Sequence, residues 1–339
     1  FGTVSTSITK IDAFAGIDKR PDKKSSAINY LLVGSDTREG LTKAELKELR
    51  VGSVATAAGK RSDTMLLVHI SKARDKAVLV SIPRDTFALI PAHLNKTGKT
   101  VPAVHSKINS AFNWGGAPLL IQTIEEMTQL KIDHYVEVNF AGFASVIDSL
   151  GGIEVCTKKD IDDPKSHLVL PAGVHTLNGI EALKYVRTRE FDGMGDLGRM
   201  QRQQAFMSSV LKKATSAGVL LNPITMTSFI NSSLAAVTTD EGLKNSDLIT
   251  LAKQMKSLAT SNVRTLTVPL SDLNYYSNGV TAAVLWDPVL APELWDRLRE
   301  DRAVVDEVTA SPSPSSTKAA KVEIVDKFKT RTADDNICR

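Results

Sequence analysis

Apolar and polar positions along this chain fall into short continuous apolar runs separated by stretches of helical spacing. Residues 29–35 (NYLLVGS), 64–71 (TMLLVHIS) and 77–82 (AVLVSI) are near-continuous apolar runs, the pattern of strands buried on both faces. The polar turn 72–76 joins the second and third as a hairpin. Antiparallel pairing about that turn sets Arg61, Ser62 and Asp63 opposite Arg84 and Asp85. If the first strand runs parallel to the third, Asp36 and Arg38 arrive at the same end. Helical spacing follows around Leu46 and Leu49, after Pro118 (LLIQTIEEMTQL), and over 140–150, where Gly151 and Gly152 stop it. From Arg199 the apolar residues Phe206, Met207, Val210, Leu211 and Ala214 share one helical face. Further helices are predicted at 223–237, 246–259 and 292–302, and strands at 135–138, 153–156 and 263–268. Strands alternating with helices indicate an α/β or α+β layered domain, and ligand sites in sheets with helices on both faces collect at strand ends.

The flanks differ from this pattern. Residues 1–28 are polar and weakly patterned and read as a lead-in. Residues 311–317 (SPSPSST) have linker composition, and the charged stretch 318–339 is too short to form a core alone. The expected division is therefore a lead-in at 1–28, one domain at 29–302, and a linker with tail at 303–339. A chain of 339 residues, 42% hydrophobic, suffices for one large core. Its 42 Lys and Arg against 38 Asp and Glu are only mildly basic, without a basic run interleaved with aromatics, which argues against nucleic acid as a partner. No apolar stretch is long enough to cross a bilayer. The start at Phe1 suggests that an upstream segment has been removed.

The chemistry concentrates at 178–204 (NGIEALKYVRTREFDGMGDLGRMQRQQ). Asn178 and Glu181 have capping-box spacing, so a helix through Ala182, Leu183 and Tyr185 begins here. If the chain is extended after Val186, Arg187 and Arg189 point to one face. After Gly193, Gly195 and Gly198 a second helix opens, with Asp196, Arg199 and Gln203 on one side. Guanidinium forks next to a helix start make a site for a multiply charged anion, a phosphate or pyrophosphate. The competing explanation is a solvated face with exposed ion pairs. Arginines in a first helical turn oppose the helix dipole, which is odd for a purely structural choice. Cys156 and Cys338 fit either inert thiols of a cytosolic protein or one disulfide of an exported one. The apolar residues of the covering helices, Phe112, Leu120, Ile124 and Phe206 among them, read as core.

Six motifs in order, GSDTR (34–38), RSDTM (61–65), SIPRD (81–85), HSKIN (105–109), ALKYVRTR (182–189) and GDLGRMQRQQ (195–204), resemble the LytR-CpsA-Psr family of cell-wall glycopolymer ligases. The resemblance is close over about 28–215 and looser to about 302, and the Pro/Ser linker with its added tail looks actinobacterial. It implies a three-layer α/β/α sandwich, a central mixed β-sheet flanked by helices, outside the cytoplasmic membrane and held there by an N-terminal anchor. The implied activity is phosphotransfer of a glycan from a polyprenyl-pyrophosphate carrier to a hydroxyl of peptidoglycan or of a surface protein. The implied metal is Mg²⁺ on Asp36 and Asp63. Arg61, Arg84, Arg187, Arg189, Arg199 and Gln203 match the pyrophosphate-binding set, with Arg38, Lys107 and Arg202 as weaker members. Arg61 and Arg84 also match the catalytic arginines, and Asp196 the acidic residue near the acceptor. Asp196 or Asp85 is the better candidate for a base, because arginine is a poor one. An extracytoplasmic location favours a Cys156–Cys338 disulfide. A channel for the lipid is a family expectation that periodicity does not show. Two other functions use the same groups: hydrolysis of polyprenyl pyrophosphate, and lipid-carrier binding without catalysis.

Overall fold

The structure, a computed structural model, describes residues 8–38, 40–49, 62–95, 97–189, 195–214, 216, 223–244, 246–248, 250, 260–309 and 322–332. Eight strands form the central sheet: β1 (Thr9–Ile11), β2 (Ile28–Ser35), β3 (Ser62–Ile70), β4 (Ala77–Ile82), β5 (His134–Val138), β6 (Val237–Asp240), β7 (Val263–Thr267) and β8 (Arg331–Thr332). Their order is β1-β6-β5-β2-β3-β4-β7-β8. The three central strands pair antiparallel as their apolar runs and connecting turn require. β5 lies parallel to β2 and β7 parallel to β4. Four strands, β2, β4, β5 and β7, thus deliver their C-terminal ends to one side.

Both faces of the sheet are covered, which explains why these strands are apolar rather than alternating. Seven helices are described: α1 (Lys43–Leu49), α2 (Asn109–Thr128), α3 (Phe140–Ser149), α4 (Gly179–Arg187), α5 (Gly195–Ala214), α6 (Pro223–Ala236) and α7 (Leu290–Arg299). On one face Leu31, Val33, Met65, Leu67, Val80 and Ile82 pack against Leu120 and Ile124 of α2 and Leu294 and Trp295 of α7. On the other, Leu66, Leu79 and Val263 meet Met207 and Leu211 of α5. The α/β/α sandwich with a mixed sheet is therefore the fold. Phe112, Leu120, Ile124 and Phe206 are core, as their spacing suggested. α2 is broken at Gly116 (φ 66°, ψ −154°), and Pro118 then opens its longer half. The helix expected at 292–302 starts two residues earlier and ends at Arg299. Of the helix expected at 246–259, residues 249 and 251–259 lie outside the described residues.

The structure corrects both flanks. Residues 8–28 belong to the domain: β1 pairs with β6, and Ala13 is fully buried. Arg20 reaches the buried carboxylate of Glu125, with Nη2–Oε1 2.6 Å and Nε–Oε2 3.0 Å, and its guanidinium lies 4.2 Å over the ring of Phe14. A three-residue strand reading Thr-Lys-Ile is too short to show alternation. At the other end Val304 and Phe328 are buried, and β8 extends the sheet from beyond the linker. Asp306–Thr309 pairs with Val322–Val325. Arg297 of α7 fastens this hairpin, holding Asp306 at 2.8 Å and Glu293 at 3.1 Å. The tail thus contributes Val304 and Phe328 to the main core.

Candidate active site

The site lies where the C-terminal ends of β2 and β4 meet the start of β3. Pairing runs Gly34↔Thr64 and then Ser35↔Ser62, so the register shifts and Asp63 occupies a bulge beside Ser35. Asp36 follows directly, half-buried, and Arg38 lies two residues on. The backbone positions of Asp36, just past the end of β2, and Asp63, near the start of β3, therefore lie at one end of the sheet. Arg61 and the side chains of Asp63 and Asp196 lie outside the described residues.

The turn after β4 carries Arg84 and Asp85. Its backbone is tied down by the Asn109 N–H, which donates to the Arg84 carbonyl at 3.1 Å, and by the Ile108 N–H, which donates to that of Thr86 at 2.8 Å. Asp85 stands between two cations: Arg84 Nε at 3.5 Å and Lys107 Nζ at 3.3 Å. That shared position makes Asp85 an orienting partner of Arg84. Lys107 reaches the site through Asp85 and does not line the cleft.

Above this turn lies α5. Gln204 donates to Ser81 Oγ (3.1 Å) and Thr267 Oγ1 (2.8 Å), so one amide spans the ends of β4 and β7 and fixes the helix over them. Arg199 and Gln203 then face a cleft of about 310 Å³, together with Arg84, Asp85 and Thr64. Arg199 is only 4% exposed, a buried cation at the wall of a cleft. The cleft is also walled by Leu273, Ala282 and Val284 from the hairpin of Leu270–Ser277 and Val280–Trp286. Periodicity missed that hairpin because its register shifts three times. The signal was Asn278-Gly279, whose φ angles of 51° and 77° are those of a tight hairpin turn.

α4 starts as its capping box requires: Asn178 Oδ1 accepts from the Glu181 N–H at 2.9 Å, and Glu181 accepts from the Asn178 N–H at 3.0 Å. The extended segment expected after Val186 is not formed. Arg187 is the last helical residue, 5.2 Å over the ring of Phe140, and the chain turns extended at Thr188. α5 is tied to the backbone on either side of Arg187. Gln203 Nε2 donates to the Val186 carbonyl (3.1 Å) and Arg202 Nη2 to that of Thr188 (2.7 Å). Arg202 thus clamps the backbone between the two arginines. Burial raises the pKa of Tyr185, and the nearby Arg202 charge pulls it back in part. Asp163 escaped the sequence pattern altogether. Buried, it accepts the Arg189 N–H and those of Lys165 and Ser166, both at 2.8 Å.

A buried arginine, a second arginine held by a carboxylate, and an amide around one cleft form a receptor for an anion bearing several oxygens. Among the described residues no helix is long and apolar enough to cross a membrane.

The chain is 36% identical over 275 residues to the probable cell wall biosynthesis protein LcpB of Corynebacterium glutamicum, covering 81% of this chain and 62% of LcpB. It is 35% identical over 204 residues to the polyisoprenyl-teichoic acid–peptidoglycan teichoic acid transferase TagT of Bacillus subtilis, covering 58% of this chain and 56% of TagT. The chain thus spans less than two thirds of the length of either relative. The solved structure of YwtF (TagT) with bound octaprenyl pyrophosphate lipid superposes with a TM-score of 0.57 at 26% identity, over 87% of this chain and 98% of that one. The sequence model of the LytR_cpsA_psr family matches residues 4–292, and the chain belongs to that family.

Proposed function

We propose that this domain is a phosphotransferase that moves a glycan phosphate from a polyprenyl-pyrophosphate carrier to a hydroxyl of peptidoglycan or of a cell-wall surface protein, outside the cytoplasmic membrane. The observation that carries this is the cleft at the sheet's end, where Arg84 and Arg199 converge with Gln203. The named ligand of the TagT structure, a prenyl pyrophosphate, has the charge such a cleft suits.

A diphosphate diester carries about two negative charges, and displacement at phosphorus spreads charge onto its oxygens and the departing phosphate. Fixed guanidinium donors stabilise that distribution without reorganising. The acceptor oxygen attacks the phosphorus that bears the glycan. The bond from that phosphorus to the bridging oxygen breaks, and polyprenyl phosphate leaves with the electron pair. A phosphodiester to the acceptor remains. We assign the acceptor's proton to the carboxylate of Asp196, since Asp85 is engaged with two cations.

Asp36 and Asp63 suit Mg²⁺, which accepts one or two carboxylates and completes its shell with phosphate and water. The backbone register at the β2–β3 bulge, with Ser35 opposite Ser62, supports this reading. When bound, Mg²⁺ supplies Lewis-acid neutralisation of phosphate oxygens. Transfer is expected to stop in a chelator and to return with added Mg²⁺, and Asp63→Ala to raise the Mg²⁺ concentration needed for half-maximal rate. Unchanged turnover in chelator would remove the metal from the scheme. The decisive experiment supplies a lipid-pyrophosphate glycan, Mg²⁺ and candidate acceptors, and identifies products by mass spectrometry. A phosphodiester on the acceptor supports transfer, whereas free phosphorylated glycan means a hydrolase.

We further propose a disulfide between Cys156 and Cys338. Cys156 lies half-buried in Ile153–Thr157, opposite Val174, and Cys338 lies outside the described residues. A crosslink over so long a loop restricts the unfolded chain by up to about 5 kcal/mol. Peptide maps of protein matured outside the cytoplasm should show the linked pair, and Cys156→Ala/Cys338→Ala should melt at lower temperature. Two free thiols, or an unshifted melt, would refute the pairing.

A further inference from the structure

Two hairpins leave the rim of the cleft side by side, and both carry aromatic rings away from it. In the first, Phe87–Ile90 pairs with Val104–Lys107, setting Phe87 across from Lys107 and Leu89 across from His105. The second contributes Leu273 to the cleft wall and Tyr275 two residues beyond. A bridge between Thr86 and Val284 joins them. The rings meet: Phe87 stacks on His105, 4.9 Å between centroids and 11° between planes, and meets Tyr275 edge-on at 5.1 Å. All three are half-buried, so this cluster is open to solvent while supported from beneath. Polar groups edge it. Asn278 Nδ2 lies 3.4 Å from His105 Nδ1, and Asp272 and Asn274 are exposed on the neighbouring strand.

We propose that Phe87, His105 and Tyr275 form a sugar subsite that takes the first ring of the carrier-linked glycan, next to the phosphate that bears it; this rests on the transfer reaction proposed above. Continuity with the cleft is the first reason. His105 is two residues from Lys107, which pairs with Asp85, and Tyr275 is two residues from Leu273. Two strand residues span about 7 Å, the length of one sugar ring beyond a phosphate. Chemistry is the second. An aromatic face is electron-rich and attracts the C–H face of a pyranose, while hydroxyls need donors and acceptors at the rim. An isoprenoid chain would be served by neither the polar edge nor the exposure.

The test compares two probes by titration calorimetry: geranyl pyrophosphate, and the same carrier bearing one hexose, geranyl-pyrophosphoryl-glucose. The wild type should bind the hexose-bearing probe about tenfold more tightly. Tyr275→Ala and His105→Ala should abolish that preference while leaving affinity for geranyl pyrophosphate unchanged, which also reports that the variants fold. Tyr275→Phe should keep the preference. Equal binding of both probes by the wild type overturns the sugar subsite and leaves the pyrophosphate cleft standing. Binding of neither probe overturns the cleft assignment beneath it. Loss of geranyl pyrophosphate binding in the alanine variants would show that the rings shape the cleft itself and would also overturn the proposal.

Discussion

Alanine in place of Arg84 is expected to slow transfer by about 10²–10³-fold, the loss seen when one preorganised donor to a developing charge is removed. Stability should change little. Arg84 is half-buried at a strand end, and its backbone carbonyl keeps its bond from the Asn109 N–H whatever the side chain. Asp85 retains Lys107 as a partner. Turnover by the purified variant, measured beside its melting curve, checks both halves. Wild-type turnover would take Arg84 out of the chemistry, and a collapsed melt would make it structural.

The second large effect falls on stability, from a residue in the segment that looked like a lead-in. Arg20→Ala is expected to destabilise the domain by about 3 kcal/mol, the lower end for stripping one partner from a buried ion pair. Glu125 is 1% exposed and would keep only the Ile132 N–H, which donates to Oε1 at 2.8 Å. The ring of Phe14 would also lose its cation. Urea melts of the two proteins measure the difference. A change under about 1 kcal/mol, the range of exposed pairs, would mean that 8–28 is the loose segment its composition suggests.

The sheet centre was legible because its physics is local. A five-residue polar turn between two apolar runs leaves few registers, and two-sided burial makes each run apolar throughout, so the delivery of the C-terminal ends of β2 and β4 to one side of the sheet followed from chain order. The capping box at Asn178 was legible for the same reason. Arg187 was misjudged because the residue that ends its helix, Thr188, is fixed by tertiary contacts: its carbonyl accepts from Arg202, fourteen positions later. The apolar cleft wall comes from a hairpin whose shifted register blurs any alternation. β1 and β8, of three and two residues, hold no period to read.

Those two short strands have a practical consequence. They are the first and last described strands of the chain, and they occupy the two outer positions of the sheet. β8 covers part of β7, which pairs with β4 along its other side. A recombinant fragment trimmed to the apolar domain boundaries, 29–302, would uncover β6 and β7 and present two rows of unpaired amides and carbonyls, a template for edge-to-edge association. Such a fragment should self-associate where the longer chain stays dispersed, so aggregation in a trimmed version would report lost edge strands rather than a defective core.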